Sequence, residues 1–129
     1  MNWLVTTIVV PSDGSPAAES QLASARALAR AGGARVLVLH VTPAAAGGGQ
    51  PARHDEQVLE QVERLRGAGV RAELSIQTSD LELPQAIAAF ASERGADVIV
   101  TRRGRPSPPH PGITARLLRI ASCPVLVTA

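Results

Sequence analysis

Segments that read as β-strands alternate strictly with segments that read as helices along this chain, in the order βαβαβαβαβ. A parallel pair of strands cannot be closed by a tight hairpin, so each crossover carries a helix that must pack against a face of the sheet. The alternation therefore predicts an α/β fold: an open five-stranded parallel sheet with helices on both faces. In such sheets ligands sit at the carboxyl ends of the strands, where the strand order reverses. The search for a site starts there.

The individual elements follow from local chemistry. Leu4–Val10 is rich in β-branched residues and Pro11 ends it, since proline cannot continue an interior ladder. Ser15 is placed to cap a helix and Pro16 occupies its first position, where a missing N–H costs nothing. That helix runs to about Ala31 with Ala18, Leu22, Ala25, Leu28 and Ala29 on one face, and Gly32-Gly33 stops it. Arg35–Val41 reads as a strand buried on both sides. The uncharged stretch Thr42–Ala52, with its alanines, glycines and prolines, reads as a flexible connection, the core of a loop over 42–53. Val58, Val62 and Leu65 then return at helical spacing over His54–Arg66. In Arg71–Gln77 the polar residues Arg71, Glu73, Ser75 and Gln77 alternate with Ala72, Leu74 and Ile76, the pattern of an edge strand with one wet face. A helix over Pro84–Arg94 and a strand over Ala96–Thr101 follow. Gly112–Ala121 is expected to be the last helix, with Ile113, Leu117 and Ile120 inward, and Pro124–Thr128 the last strand.

Composition narrows the function classes. At 129 residues, 45% of them hydrophobic and 19% charged, the chain has material for one domain over 1–129, with a core over about 4–128. No apolar run approaches the roughly 20 residues needed to cross a bilayer. The N-terminal segment lacks a basic leader, so the expectation is a cytoplasmic protein without a membrane partner. The one cysteine, Cys123, excludes an internal disulfide and a cysteine-based zinc site, and no metal site is expected. All thirteen basic residues are arginines, but the net charge is only +2 and aromatics make up 2%, which argues against a nucleic-acid partner.

Five segments carry a family signal: Ile8-Val9-Val10-Pro11-Ser12-Asp13-Gly14-Ser15, Leu39-His40-Val41, Ala96-Asp97-Val98-Ile99-Val100, Arg103-Gly104-Arg105 and Cys123-Pro124-Val125-Leu126-Val127. In order and spacing they resemble the universal stress protein (UspA-type) domain over nearly the whole chain. The resemblance implies a Rossmann-like fold, akin to the adenine nucleotide α-hydrolases, with strand order 3-2-1-4-5. It also implies a homodimer formed through the last strand, about residues 124–128.

Many members of that family bind ATP, with an acidic residue after the first strand, backbone at the end of the second, and a Gly-x2-Gly-x9-Gly-Ser/Thr loop around the phosphates. By that resemblance Pro11, Asp13, Val41, Arg103, Gly104, Arg105 and Gly112 are the candidate contacts for a nucleotide or anion. The loop departs from the pattern. Thr101 stands where the first glycine is expected, only seven residues separate Gly104 from Gly112, and Ile113 follows in place of Ser or Thr. A phosphate cradle works through closely approaching backbone N–H groups, and Pro106, Pro108, Pro109 and Pro111 supply none. Arg102, Arg103 and Arg105 are the residues that could replace those donors by charge-assisted contacts.

Each of these residues also has a simpler reading. Asp13 reads equally as a ligand contact and as an Asx turn that prepares the first helix. The arginines 102, 103 and 105, with Arg116 and Arg119, read first as a solvated surface. His40 reads as a packed histidine and Cys123 as core. No nucleophile and base are spaced for catalysis, so the expected function is a dimeric, non-enzymatic regulatory or binding module with a possible protein partner and weak or no ATP binding. The alternative is an ATP-binding universal stress protein that uses Asp13, Val41 and the 101–114 loop. An ATP-splitting α-hydrolase is a third reading, to which Pro11-Ser12-Asp13-Gly14-Ser15 bears only a superficial likeness.

Overall fold

The computed structural model describes residues 4–43, 52–103 and 112–128. They form a five-stranded parallel sheet in the order β3-β2-β1-β4-β5, built from β1 (Thr7–Pro11), β2 (Arg35–Pro43), β3 (Arg71–Ser79), β4 (Val98–Arg102) and β5 (Val125–Thr128). Four helices connect them: α1 (Glu19–Gly32), α2 (Ala52–Gly67), α3 (Leu83–Glu93) and α4 (Ile113–Ile120). Chain direction reverses its progress across the sheet between β1 and β4, so the carboxyl ends of β1, β2 and β4 define the crevice where ligands bind in such folds.

The period-2 geometry of the strands divides the core in two. Ile8, Val10, Val36, Val38, Val98 and Val100 point to one face and pack under α1 and α2 through Leu22, Ala25, Ala29, Val58, Val62 and Leu65. Val9, Leu37, Leu39 and Ile99 point to the other and meet Ile87, Phe90 and Ala91 of α3 and Leu117 of α4. The alanines of α1 let its backbone approach the sheet closely. The helix ends at Gly33, which takes the left-handed φ of +70° that a C-terminal cap favours.

Several boundaries differ from the sequence reading for identifiable reasons. Leu4 is exposed and the ladder starts only at Thr7, where pairing with Arg35 begins. Pro11 does not stop the first strand before itself. It is the last residue of β1 opposite Leu39, a position where its carbonyl still serves and its lack of N–H is tolerated. A single 3-10 turn, Pro16–Ala18, precedes α1, and the Ser15 hydroxyl makes no cap hydrogen bond. Ile76 is 43% exposed although it alternates with buried Ala72, because β3 runs on past its cover. In α4 only Leu117 is buried; Ile113 and Ile120 are more than two-fifths exposed. An eight-residue helix at the margin of the sheet offers one side chain to the core. Most of the expected loop 42–53 lies outside the described residues, except that β2 extends through Pro43 and α2 begins at Ala52.

Candidate functional site

The turn after β1 is held by side chains from both neighbouring helices. Gln21 of α1 is buried and its Nε2 donates to the Pro11 carbonyl at 2.5 Å. Gln61 of α2, also buried, accepts the Ser12 hydroxyl at 2.5 Å and donates to the Ser15 carbonyl at 3.2 Å. The Ser12 hydroxyl in turn accepts the Gly14 N–H at 3.0 Å, a geometry helped by the positive φ of Gly14 at 81°. These bonds satisfy polar groups that would otherwise be stranded above a dry core. Sequence periodicity did not find Gln21 or Gln61, since each sits on the buried stripe of a helix where an apolar residue is the norm.

His40, near the end of β2, is buried as expected of a packed histidine. Its Nδ1 donates to the Ser12 carbonyl at 3.0 Å, because a carbonyl can only accept, and its Nε2 lies 3.6 Å from the Asp55 carboxylate in the first turn of α2. The ring ties the ends of β1, β2 and α2 together.

Asp13 forms the Asx turn that was one of its two readings in the sequence. One carboxylate oxygen accepts the Ser15 N–H at 2.9 Å, the Asx turn. The other faces outward toward the Arg102 guanidinium at the end of β4, 4.0 Å from Nη2. Partial burial pushes the carboxyl upward, but hydrogen bonding by Ser15 and the charge of Arg102 outweigh that and hold it below its ordinary value. Two polar atoms here are buried without a hydrogen-bond partner among the described residues, the Ser15 hydroxyl oxygen and Arg102 Nη1.

The segment after β4 is where a phosphate-binding loop would begin. Thr101 is buried, and its hydroxyl lies 3.4 Å from that of Thr114 in the first turn of α4. The Thr114 hydroxyl donates to the Arg102 carbonyl at 2.5 Å. The Arg103 N–H donates to the Thr128 carbonyl at 2.8 Å, extending the β4–β5 ladder by one rung. The Thr101 and Thr114 hydroxyls and the Arg103 N–H are thus spent inside the fold. Gly112 is the N-cap of α4 in an extended conformation, with open space where a Cβ would stand.

Of the residues singled out in the sequence, Pro11, Asp13, Val41, Arg103 and Gly112 are placed at the carboxyl ends of the strands or in the segments that leave them. Asp13 meets Arg102, whereas Arg103 is drawn to β5 by its backbone. Val41 is half-buried and packs against the α3 face of the core. Gly104 and Arg105 lie outside the described residues. Thr114 was missed because the expected Ser or Thr position is filled by Ile113; the hydroxyl stands one residue later. Among the described residues no group of three or more potential metal ligands is clustered.

The family model described as the universal stress protein family matches residues 5–129. The chain belongs to the universal stress protein family. A universal stress protein from Archaeoglobus fulgidus superimposes with a TM-score of 0.81 at 27% identity, covering 98% of this chain and 95% of that one. A structure of the universal stress protein from Archaeoglobus fulgidus in complex with dAMP gives 0.76 at 27% identity, covering 98% and 99%. A universal stress protein in complex with cAMP gives 0.77 at 21% identity, covering 98% of each chain, a likeness of fold. No curated protein matches the sequence significantly. The strand order that the family resemblance implied is the order observed. No described helix is long and apolar enough to cross a membrane.

Proposed function

We propose that this universal stress protein is a non-catalytic, dimeric binding module whose strand-end crevice holds MgATP weakly or not at all. The observation that carries the reading is the fate of the segment after β4. Thr101 is buried in the place of the family's first glycine, its hydroxyl beside Thr114, and the Arg103 N–H is committed to Thr128. A triphosphate needs several converging N–H donors at close range, and the Arg103 N–H, the first that the segment after β4 could offer, is turned inward. The polar side chains nearest the crevice support a non-enzymatic role. The Ser12 hydroxyl donates to Gln61 instead of a base, and both nitrogens of His40 face acceptors. Ion pairing also supports the exclusion of nucleic acid as a partner. Arg102 faces Asp13, Arg116 binds Glu82 and Arg64 binds Glu19, so part of the arginine surface is already neutralised.

A second reading has its own support. The archaeal relative holds dAMP, and a more distant one holds cAMP, each with a single phosphate. A crevice lacking the triphosphate sling remains compatible with a nucleotide of that kind through Asp13 and Val41.

Thermal unfolding with ATP, ADP and AMP, each with magnesium, separates the readings. A ligand bound with a Kd of about 10 μM, supplied at about 1 mM, adds about 2.7 kcal/mol of stability, roughly a 10 °C rise in Tm for a domain of this size. The expected result is a rise far smaller than that with MgATP. A full-sized rise overturns the main reading, and release of AMP and pyrophosphate above a protein-free control overturns the non-catalytic part.

A further inference from the structure

We propose that the end of the sheet opposite the strand-end crevice carries a docking groove for a short acidic segment of a partner protein, received between Arg30 and Arg71. The groove is separate from the crevice, so the proposal stands whether or not a nucleotide binds there.

The groove follows from the way two helices end. α1 turns back into β2 and α2 into β3, and each turn passes through a glycine in the left-handed region, Gly33 at φ +70° and Gly69 at φ +86°. A Cβ built on either glycine would meet nothing within 4 Å, so open space lies over both turns. Between them is a cavity of about 290 Å³ whose floor includes the buried Ala29, Ala34 and Val70. That is close to the roughly 300 Å³ at which ligand clefts begin, a space for a short anchor and not for a whole nucleotide. The lining contains two arginines and no carboxylate. Arg30, in the last turn of α1, is exposed and has no ion pair or hydrogen bond from its side chain among the described residues. Arg71, the first residue of β3, is also exposed. Its Nη2 donates to the Gly33 carbonyl at 2.7 Å, which fixes the guanidinium at the rim while its other N–H groups have no acceptor among the described residues. Arg35 is the register partner of Arg71, and Arg66 at the end of α2 bonds the Ala72 carbonyl at 2.8 Å. Four arginines therefore gather at this end with one ion pair among them in the described residues, Arg35 with Glu73 at 3.9 Å. Charge complementarity selects the occupant. A guanidinium fork takes a carboxylate through two parallel hydrogen bonds, and turns without side chains let an extended peptide approach the backbone. No aromatic ring is in the lining for a base to stack on, which disfavours RNA.

The test is fluorescence anisotropy of the intact protein with a labelled peptide of alternating Glu and Ala, its Gln-Ala counterpart and an oligouridylate, each at low and at physiological salt. Expected are saturable binding of the Glu peptide that weakens with salt, no saturation with the Gln peptide, and weaker binding of the oligouridylate. NMR amide shifts with the Glu peptide are expected at residues 29–34 and 68–71 and not at 13–15. Arg30→Gln combined with Arg71→Gln is expected to weaken the Glu peptide about tenfold, the worth of one charge-assisted hydrogen bond. Arg116→Gln, which alters an arginine outside the groove, is expected to leave it unchanged. Should the double variant not fold, because Arg71 loses its bond to Gly33, Arg30→Glu serves: it breaks no contact among the described residues and is expected to weaken the peptide at least as much. The proposal is overturned if the Glu peptide does not saturate at low salt, or if the Gln peptide or the oligouridylate binds as well. Shifts confined to the crevice, affinity kept in the groove variants, or an equal loss in Arg116→Gln overturn it too. MgATP takes no part in any of these measurements, so their failure leaves the proposed function of the crevice untouched.

Discussion

Asp97 shows how much one side chain can do at the start of a central strand. A single carboxylate oxygen accepts the Thr6 N–H at 2.8 Å, the Thr6 hydroxyl at 2.9 Å and the Thr7 N–H at 3.0 Å, across 90 or so residues of sequence. The bond from the Thr6 N–H, with help from the Thr7 N–H and the Thr6 hydroxyl, outweighs the opposing effect of burial and holds the carboxyl below its ordinary 3.8. A depressed carboxyl stabilises the fold above its unfolded value, and the contribution is lost as pH falls through the lower folded value. Asp97→Ala is expected to cost about 1–2 kcal/mol at pH 7, at the low end for charged hydrogen bonds because the group is open to water. Denaturant melts at pH 7 and below pH 3 check both halves: the difference between native protein and variant should shrink in acid, and a constant difference would show that ionisation is irrelevant. Such contacts are invisible in sequence. The segment Ala96–Val100 reveals a strand, and Asp13 announces a turn, but nothing local pairs Asp97 with Thr6 or Asp13 with Arg102.

At the scale of elements the sequence was most legible where both faces of a strand are buried. Continuous Val-Leu-Val-Leu in β2 and Val-Ile-Val in β4 leave no other reading, and the strand–helix alternation then dictates parallel pairing. Periodicity misled at the margins. It placed Ile113, Leu117 and Ile120 on one inward face of α4, but burial depends on what lies opposite, and beyond Leu117 the sheet has run out. The helix should therefore respond very unevenly to truncation. Leu117→Ala, emptying a fully buried site against Ile87, Phe90 and Ile99, is expected to cost about 2–5 kcal/mol. Ile120→Ala, at 46% exposure, is expected to cost under about 1 kcal/mol in the monomer. Equal costs in urea unfolding of dilute protein would mean that α4 is seated differently. The candidate site was half legible for a related reason. Asp13 and the broken glycine pattern are local features of sequence, whereas the shifted hydroxyl of Thr114 and the inward turn of the Arg103 N–H emerge only when β4, β5 and α4 are assembled.

The whole molecule is unevenly sealed. On one side of the sheet centre β2 buries Val36 through His40, while at the far edge β5 has no fully buried residue, and Leu126 and Val127 stand 42% and 39% exposed on its opposite faces. Ile113, Leu118 and Ile120 of the neighbouring α4 are also exposed. An open strand edge with apolar flanks is an invitation to pair, and a second copy of the same edge satisfies the ladder and both faces together. This is the physical support for the proposed homodimer through the last strand. Leu126→Glu places two like charges close together across that contact. Sedimentation should then shift from dimer to monomer, and a native protein that already sediments as a monomer at tens of micromolar would remove the proposal. Dissociation should also have a local signature, because opening free energies are lowest where few apolar contacts hold an element. In the Leu126→Glu variant, amide exchange is expected to accelerate over residues 113–128 while β1 and β2 keep their protection. Uniform acceleration across the sheet would instead mean that β5 and α4 unfold together with the centre, so that the edge is an integral part of one cooperative unit.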